Sequence, residues 1–229
     1  MAKRARMIVS FVLPVFNCEG NIGPLFEELQ SVSAAFPMYQ PEYIFVDDHS
    51  TDGSMAELQS LNSQHLKIVG LNKNVGAYSA ILRGLEHVSG ARVIVMAADG
   101  QDDPVVAFNL IGMSDSAGMS AAFRTSTTNA LFGRIFHNLM TKINDQKDSE
   151  RVLDMVVFPS ELIPKILLDP RCKAHLFYGL DVMIRSKLLF SHEKRPRKQG
   201  HSGWTTGKKI HLAMHTLWVF SIAKLKSLL

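Results

Sequence analysis

Apolar residues alternate between two rhythms along the first hundred positions. Met7–Leu13 is a compact apolar run that predicts a strand buried on both faces, and Tyr43–Val46, Leu66–Leu71 and Ala91–Ala97 predict three more. Between them, Ile22, Leu25, Phe26, Leu29, Val32 and Phe36 recur at helical spacing, as do Ile81, Leu82, Leu85 and Val88 within Tyr78–Val88, and a further helix follows Ser54. Strands and helices alternating with short connections predict a parallel sheet with helices on both faces.

Past Gln101–Pro104 the pattern is less regular. It predicts strands at Met119–Phe123 and Val152–Phe158 and helices at Asn129–Ile143, Glu161–Leu168 and Phe177–Lys187. Arg195–Gly207, rich in Pro, Gly, Ser and cations, reads as a loop, and an amphipathic helix follows from Lys208 with an apolar stretch at Leu217–Ala223. The expected organisation is one α/β domain over 1–193, its first half ending near 104 and its second spanning about 105–193, followed by a basic loop and helix over 194–229.

Composition adds a charge asymmetry. Of 25 Lys/Arg, eight fall in residues 194–229 with none of the 21 Asp/Glu, so this tail is +8 and the rest, 17 against 21, is −4. At 46% hydrophobic and 20% charged, 229 residues can bury a sizeable core, which excludes bulk disorder. Lys3, Arg4 and Arg6 ahead of an apolar run imitate a secretory signal, but Pro14 interrupts the run and no small-residue cleavage site follows. With Cys18 and Cys172 too few for a disulfide framework, and no apolar run long enough to span a bilayer, the expected location is cytoplasmic. A basic tail without a nucleic-acid motif argues against a nucleic-acid partner.

In an open parallel sheet, ligands bind beyond the carboxyl ends of the strands. Four polar clusters fall there: Pro14-Val15-Phe16-Asn17-Cys18-Glu19, Asp47-Asp48-His49-Ser50-Thr51-Asp52-Gly53-Ser54, Asn72-Lys73-Asn74-Val75-Gly76 and Asp99-Gly100-Gln101-Asp102-Asp103-Pro104. They are too acidic to cradle bare phosphates, and neither a P-loop nor a dinucleotide fingerprint is present. Paired carboxylates suit nucleobase or ribose donors, and carboxylates on the fourth loop suit a hard divalent cation bridging a diphosphate.

These clusters, in this order, resemble family 2 glycosyltransferases of the GT-A fold, a mostly parallel central sheet flanked by helices. Within that family the chain is most similar to the branch of dolichyl-phosphate mannose synthases and undecaprenyl-phosphate sugar transferases. The branch's later Arg-x-x-Gly-x-Ser pattern stands here as Arg197-Lys198-Gln199-Gly200-His201-Ser202, followed by Gly203-Trp204-Thr205-Thr206-Gly207-Lys208-Lys209. The resemblance implies that Pro14, Phe16, Asn17, Glu19, Asp47, Asp48, Asn74 and Asp99 form the nucleotide pocket. It implies that Asp99 approaches Mg2+ or Mn2+ and the diphosphate, with Gln101 and Asp102 beside the sugar or acceptor phosphate. Arg124, Arg134, Arg197 and Ser202 would meet acceptor phosphate. Two positions depart from the family pattern: Ala97 replaces the first acid of Asp-x-Asp, and Cys18 takes the place of the acid after Asn17.

The implied reaction moves a sugar from a nucleoside diphosphate sugar to a polyprenyl phosphate or glycan acceptor, inverting the anomeric centre, in cell-envelope polysaccharide or glycoconjugate synthesis. A phosphate acceptor is already anionic, whereas a sugar hydroxyl needs a base, for which Asp102, Asp154 and Asp181 are the candidates. Asp154 is conspicuous as an acid within the apolar run Val152–Phe158. The +8 tail, Trp204, Trp218 and the apolar helix face suit peripheral docking at the inner face of an anionic membrane or on a membrane-protein partner. Ala97 motivates an alternative, a nucleotide-sugar-binding pseudoenzyme or partner subunit.

Overall fold

The computed structural model describes residues 6–114, 116–125, 131–144, 151–197, 199 and 206–227. Its centre is a seven-stranded sheet in the order β3-β2-β1-β4-β6-β5-β7. The first four strands are β1 (Met7–Val15), β2 (Tyr39–Asp47), β3 (Leu66–Gly70) and β4 (Arg92–Val95), all mutually parallel, with β1 between β2 and β4. The later strands are β5 (Met119–Thr125), β6 (Arg151–Pro159) and β7 (Lys187–Ser191). β6 runs antiparallel to both neighbours, β4 and β5, while β7 lies parallel to β5 at the edge.

The pleat sends alternate side chains to opposite faces, and each face has its own core. Val9, Phe11, Leu13, Phe45 and Val157 pack beneath α1 (Ile22–Ser33), with α2 (Ser54–Ser60) beside it. Val12, Ile44, Val46, Val156 and Phe158 pack beneath α3 (Ala77–Leu85) on the other face. α4 (Pro104–Ser114) joins the first face through Phe108, whose ring lies 5.2 Å from Phe11 and 5.0 Å from Phe36. α5 (Leu131–Asn144) precedes β6; after β6 come a 3-10 turn at Ser160–Leu162 and then α6 (Ile163–Leu168), α7 (Pro170–Ala174) and α8 (Leu176–Met183). The last helix, α9 (Thr206–Ser227), packs against α5 and α7.

The alternation read from the sequence holds for the first four strands, with shifted limits. β2 begins at Tyr39 rather than Tyr43, because its first residues, polar ones included, pair with the start of β1. Phe177–Lys187, expected as one helix, is divided: α8 stops at Met183 and Lys187 opens β7. β7 carries a weak strand signal because it is a five-residue edge strand with exposed positions. The C-terminal helix begins at Thr206, two residues earlier than expected. It buries Ala213, Thr216 and Phe220, but Ile210, Met214, Trp218 and Leu225 are exposed, so its outer face is not uniformly polar. Among the described residues no helix is long and apolar enough to cross a membrane.

Candidate functional site

The loops after β1 and β2 interlock. Both turn through left-handed backbone at a residue other than glycine, Asn17 at φ 53° and His49 at φ 60°, a conformation that surrounding contacts must enforce. Here the contacts are reciprocal. The Asn17 N–H donates to Ser50 Oγ at 3.0 Å, and the Thr51 N–H donates to Asn17 Oδ1 at 2.9 Å. The Cys18 N–H donates to Ser54 Oγ at 2.8 Å, and Glu19 accepts from the Gly53 N–H at 2.9 Å. Asn17 and Glu19 therefore brace the pocket's framework. Burial pushes the Cys18 thiol up to about 11, and its surroundings include Asp99 and Arg197, so this turn lies against the β4 end.

Asp47 and Asp48 are both buried but differently engaged. Asp48 accepts from the backbone N–H groups of Val75 at 2.7 Å and Gly76 at 2.8 Å, and its carbonyl accepts from Asn74 Nδ2 at 3.2 Å. Asp48 and Asn74 thus fix the loop that opens α3, where Gly76 takes φ 89°. Asp47 Oδ2 accepts from the Ser50 N–H at 3.2 Å, while its Oδ1 is buried with no hydrogen-bond partner. A carboxylate oxygen left this way at a strand end is an acceptor awaiting a donor.

At the end of β4, Asp99 and Asp102 also diverge. Asp102 is wholly buried, and its Oδ2 accepts from the Ala97 N–H at 2.9 Å, closing the loop that presents Asp99. Asp99 stays partly open; its Oδ1 accepts from the Gln101 N–H at 3.2 Å, and its other oxygen pairs with Arg197.

The segment leaving β7 crosses this end of the sheet as a strap of cations. Lys194 Nζ lies 3.2 Å from Asp102 and 3.1 Å from Asp154, which projects from β6. Asp154 also meets His192 Nε2 at 3.3 Å and Arg124 Nε at 3.4 Å. Burial pushes Asp102 up despite Lys194. Burial also opposes the charge on Lys194, but Asp102 and Asp154 outweigh it and hold the ammonium above its usual range. Farther along, Arg195 Nη1 donates to both carboxylate oxygens of Glu28 at 2.7 and 2.9 Å, and its Nη2 reaches Asp103 at 2.8 Å. The Arg195 N–H donates to the Gln101 carbonyl at 2.9 Å, and Gln101 Nε2 returns a bond to the Arg195 carbonyl at 3.1 Å. Asn21 Nδ2 donates to the Gln199 carbonyl at 3.3 Å, seating the strap beside Gly20.

The structure thus gathers the expected residues from the ends of β1, β2 and β4 with Asp154, Arg124 and Arg197. Pro14 and Phe16 are half-buried at the end of β1, and Arg124 is half-exposed on β5. Arg134 falls on α5, and Ser202 lies outside the described residues. Asp102, expected beside the sugar or acceptor phosphate, is sealed beneath the loop instead, because the Ala97 amide and Lys194 take its oxygens inward. Asp181, a candidate base by sequence, pairs with Lys187. Lys194, Arg195 and His192 went unrecognised by sequence reasoning. Their one signal was a run of cations following an acid-bearing apolar strand, and the pairing of the two is a matter of tertiary structure.

Among the described residues no group of three or more His, Cys, Asp or Glu is arranged to hold a metal ion. Asp99 alone still suits a hard cation, since Mg2+ commonly takes one or two protein carboxylates and completes its shell with water and substrate phosphate.

The family model of glycosyl transferase family 2 matches residues 10–138. Over 229 residues, 96% of this chain and 74% of the relative, it is 27% identical to the bactoprenol glucosyl transferase of Shigella phage SfV. Over 110 residues, 47% of this chain and 33% of the relative, it is 33% identical to the undecaprenyl-phosphate 4-deoxy-4-formamido-L-arabinose transferase of Klebsiella pneumoniae. Among solved structures it resembles glucosyl-3-phosphoglycerate synthase from Mycobacterium tuberculosis, crystallised with Mn2+, UDP and phosphoglyceric acid. That match has a TM-score of 0.67 and 15% identity, and covers 96% of this chain and 78% of the other. The shared architecture is the GT-A glycosyltransferase fold.

Proposed function

The chain belongs to glycosyl transferase family 2, and from that premise we propose that it moves a sugar from a nucleoside diphosphate sugar to a polyprenyl phosphate in cell-envelope synthesis. The relatives' names support the lipid phosphate as acceptor class. One observation on the molecule favours it over a sugar hydroxyl: each carboxylate named as a candidate base is tied to a lysine, Asp102 and Asp154 to Lys194 and Asp181 to Lys187. A hydroxyl nucleophile needs a base free to take its proton, whereas a phosphate oxygen arrives ionised.

The residues divide the work. Asp47 Oδ1 accepts a hydrogen bond from the nucleobase or ribose, in a wall shaped by Pro14, Phe16, Asp48 and Asn74. Asp99 is the residue that would hold Mg2+ or Mn2+. A bound cation supplies neutralisation of charge on the departing nucleoside diphosphate. Arg124, on the outer side of the Asp154 cluster, and Arg197 offer planar forks suited to phosphate oxygens. Direct displacement by the acceptor oxygen inverts the anomeric carbon.

The protein also docks peripherally on the bilayer that holds its acceptor. Ile210, Met214 and Trp218 recur every four residues along the outer face of α9, and Ile135 and Leu139 are exposed on α5, which packs beside it. Lys209, Lys224 and Lys226 lie on α9 with them, a combination suited to an anionic interface.

The test is a screen of UDP-, GDP- and dTDP-sugars with undecaprenyl phosphate in one series and soluble glycans in another. Transfer to the lipid phosphate is the expected result. Transfer confined to glycans would overturn the acceptor assignment, and transfer to neither would overturn the enzymatic reading.

A further inference from the structure

We propose that Arg197 sets the metal affinity of the site, because its guanidinium and a divalent cation are alternative partners of Asp99. The inference rests on the reading that Asp99 faces the metal and diphosphate, and adds a competition that the family likeness does not contain. Asp99 is the carboxylate of the Ala97-Ala98-Asp99 segment, and one of its oxygens is held by the Gln101 N–H. The other oxygen receives Arg197, with the Asp99 side chain 13% and the Arg197 side chain 22% exposed. A cation coordinated there must displace the guanidinium or lie beside it at like-charge repulsion.

Arg197 does not arrive by chance of rotamer. The strap carrying it is fastened on both sides, by the reciprocal Gln101–Arg195 bonds and the Arg195–Glu28 pair before it, and by Asn21 on the Gln199 carbonyl after it. Pro196 lies between the two arginines and limits the backbone freedom of the joint. The arrangement delivers a cation to Asp99, where the first acid of the family pattern is replaced by Ala97 and cannot share the load. With Asp99 engaged by a cation, Arg197 would turn to substrate phosphate, so metal affinity and strap position would be coupled.

The test measures Mn2+ binding by calorimetry with UDP and, separately, GDP present, on the wild-type chain and on Arg197→Gln and Asp99→Asn variants. Removing a cation from a diphosphate site ordinarily weakens the binding of an anionic ligand. The competition predicts the opposite for the metal: Arg197→Gln tightens Mn2+ binding by about threefold to tenfold, the scale of a partly exposed ion pair, and adding Asp99→Asn to that variant abolishes the gain. Hydrogen exchange supplies a second readout, the Arg195 amide losing protection when Mn2+ and nucleotide bind. Unchanged or weaker Mn2+ binding in Arg197→Gln, or no Mn2+ binding with either nucleotide, would overturn the proposal. So would an Arg195 amide that stays protected in the metal-bound wild-type chain. The Arg197→Gln outcome leaves the proposed function standing, whereas absence of Mn2+ binding would also remove its metal; glycosyl transfer itself is decided by the donor and acceptor screen.

Discussion

Lys194 Nζ lies 3.1 Å from Asp154, joining the strap to a strand at the middle of the sheet, and the same ammonium lies 3.2 Å from Asp102. Replacing Lys194 with Met leaves two buried carboxylates short of a cation, and breaking such a pair from one side costs about 3 kcal/mol. The loss is expected in urea unfolding at neutral pH. Because the folded Lys194 holds its proton more tightly than the ordinary 10.5, its contribution is present below that value and lost as pH rises through the folded one. The gap between wild type and Lys194→Met therefore narrows above about pH 10.5.

Asp47 and Asp48 are adjacent acids with separable tasks. Asp48→Asn replaces an oxygen accepting from Val75 or Gly76 with an amide that cannot accept, and is expected to cost about 1–3 kcal/mol of stability. Asp47→Asn leaves most of the framework intact but presents an altered group at the unpartnered Oδ1 position, and is expected to weaken nucleotide binding about tenfold with little change in unfolding midpoint. Calorimetry with nucleoside diphosphates beside denaturant titration separates the two; equal effects on both measurements would refute the division.

Earlier on β2, Glu42 gathers Ser10 Oγ at 2.6 Å, the Ser89 N–H at 3.1 Å, Ser89 Oγ at 2.8 Å and the Lys67 ammonium. Burial works against its charge, yet these donors hold its carboxyl below the ordinary 4.5. A depressed folded value means stabilisation present above about pH 4.5 and lost as pH falls through the folded one. Glu42→Gln should thus destabilise by about 1–3 kcal/mol at pH 7, with the difference closing in acid, as measured by thermal melts from neutral pH downward.

The outer face of α9 offers a test with no catalytic component. Trp218 and Met214 are 63% and 59% exposed, so converting both to Ser should leave the melting temperature nearly unchanged while reducing co-sedimentation with phosphatidylglycerol vesicles several-fold. Raising the salt should weaken the wild-type binding as the lysine contribution is screened. Undiminished vesicle binding by the double variant would rule this face out.

How much of this was legible in the sequence depended on whether local pattern carried the information. The first four strands and their helices were, since Phe11, Phe45, Val12 and Val46 follow a buried parallel-strand pattern that leaves little freedom. The antiparallel insertion of β6 between β4 and β5 was not, because strand order has no local signature. At the site, Asp47, Asp48 and Asp99 could be named from their place at strand ends, but adjacent acids look alike until their partners are known. Val75 and Gly76 take Asp48, and burial under the Ala97 amide takes Asp102 out of reach. The cations of the strap read as a solvated run because their partners Glu28, Asp99, Asp102 and Asp154 lie 40 to 167 residues away in the chain.

The late position of the strap has a consequence for the chain during its own synthesis. Six of the seven strands are made by Pro159, and Asp102 and Asp154 with them, while Lys194 has yet to leave the ribosome. Until it does, a nascent sheet that closed fully would enclose two acids without the cation they share. The central β4–β6 pairing and the β6–β5 ladder therefore gain their full stability only after residue 194 is added. A released chain ending at residue 191 should be markedly easier to digest at β6 than one ending at residue 199, with the β1–β4 half resistant in both.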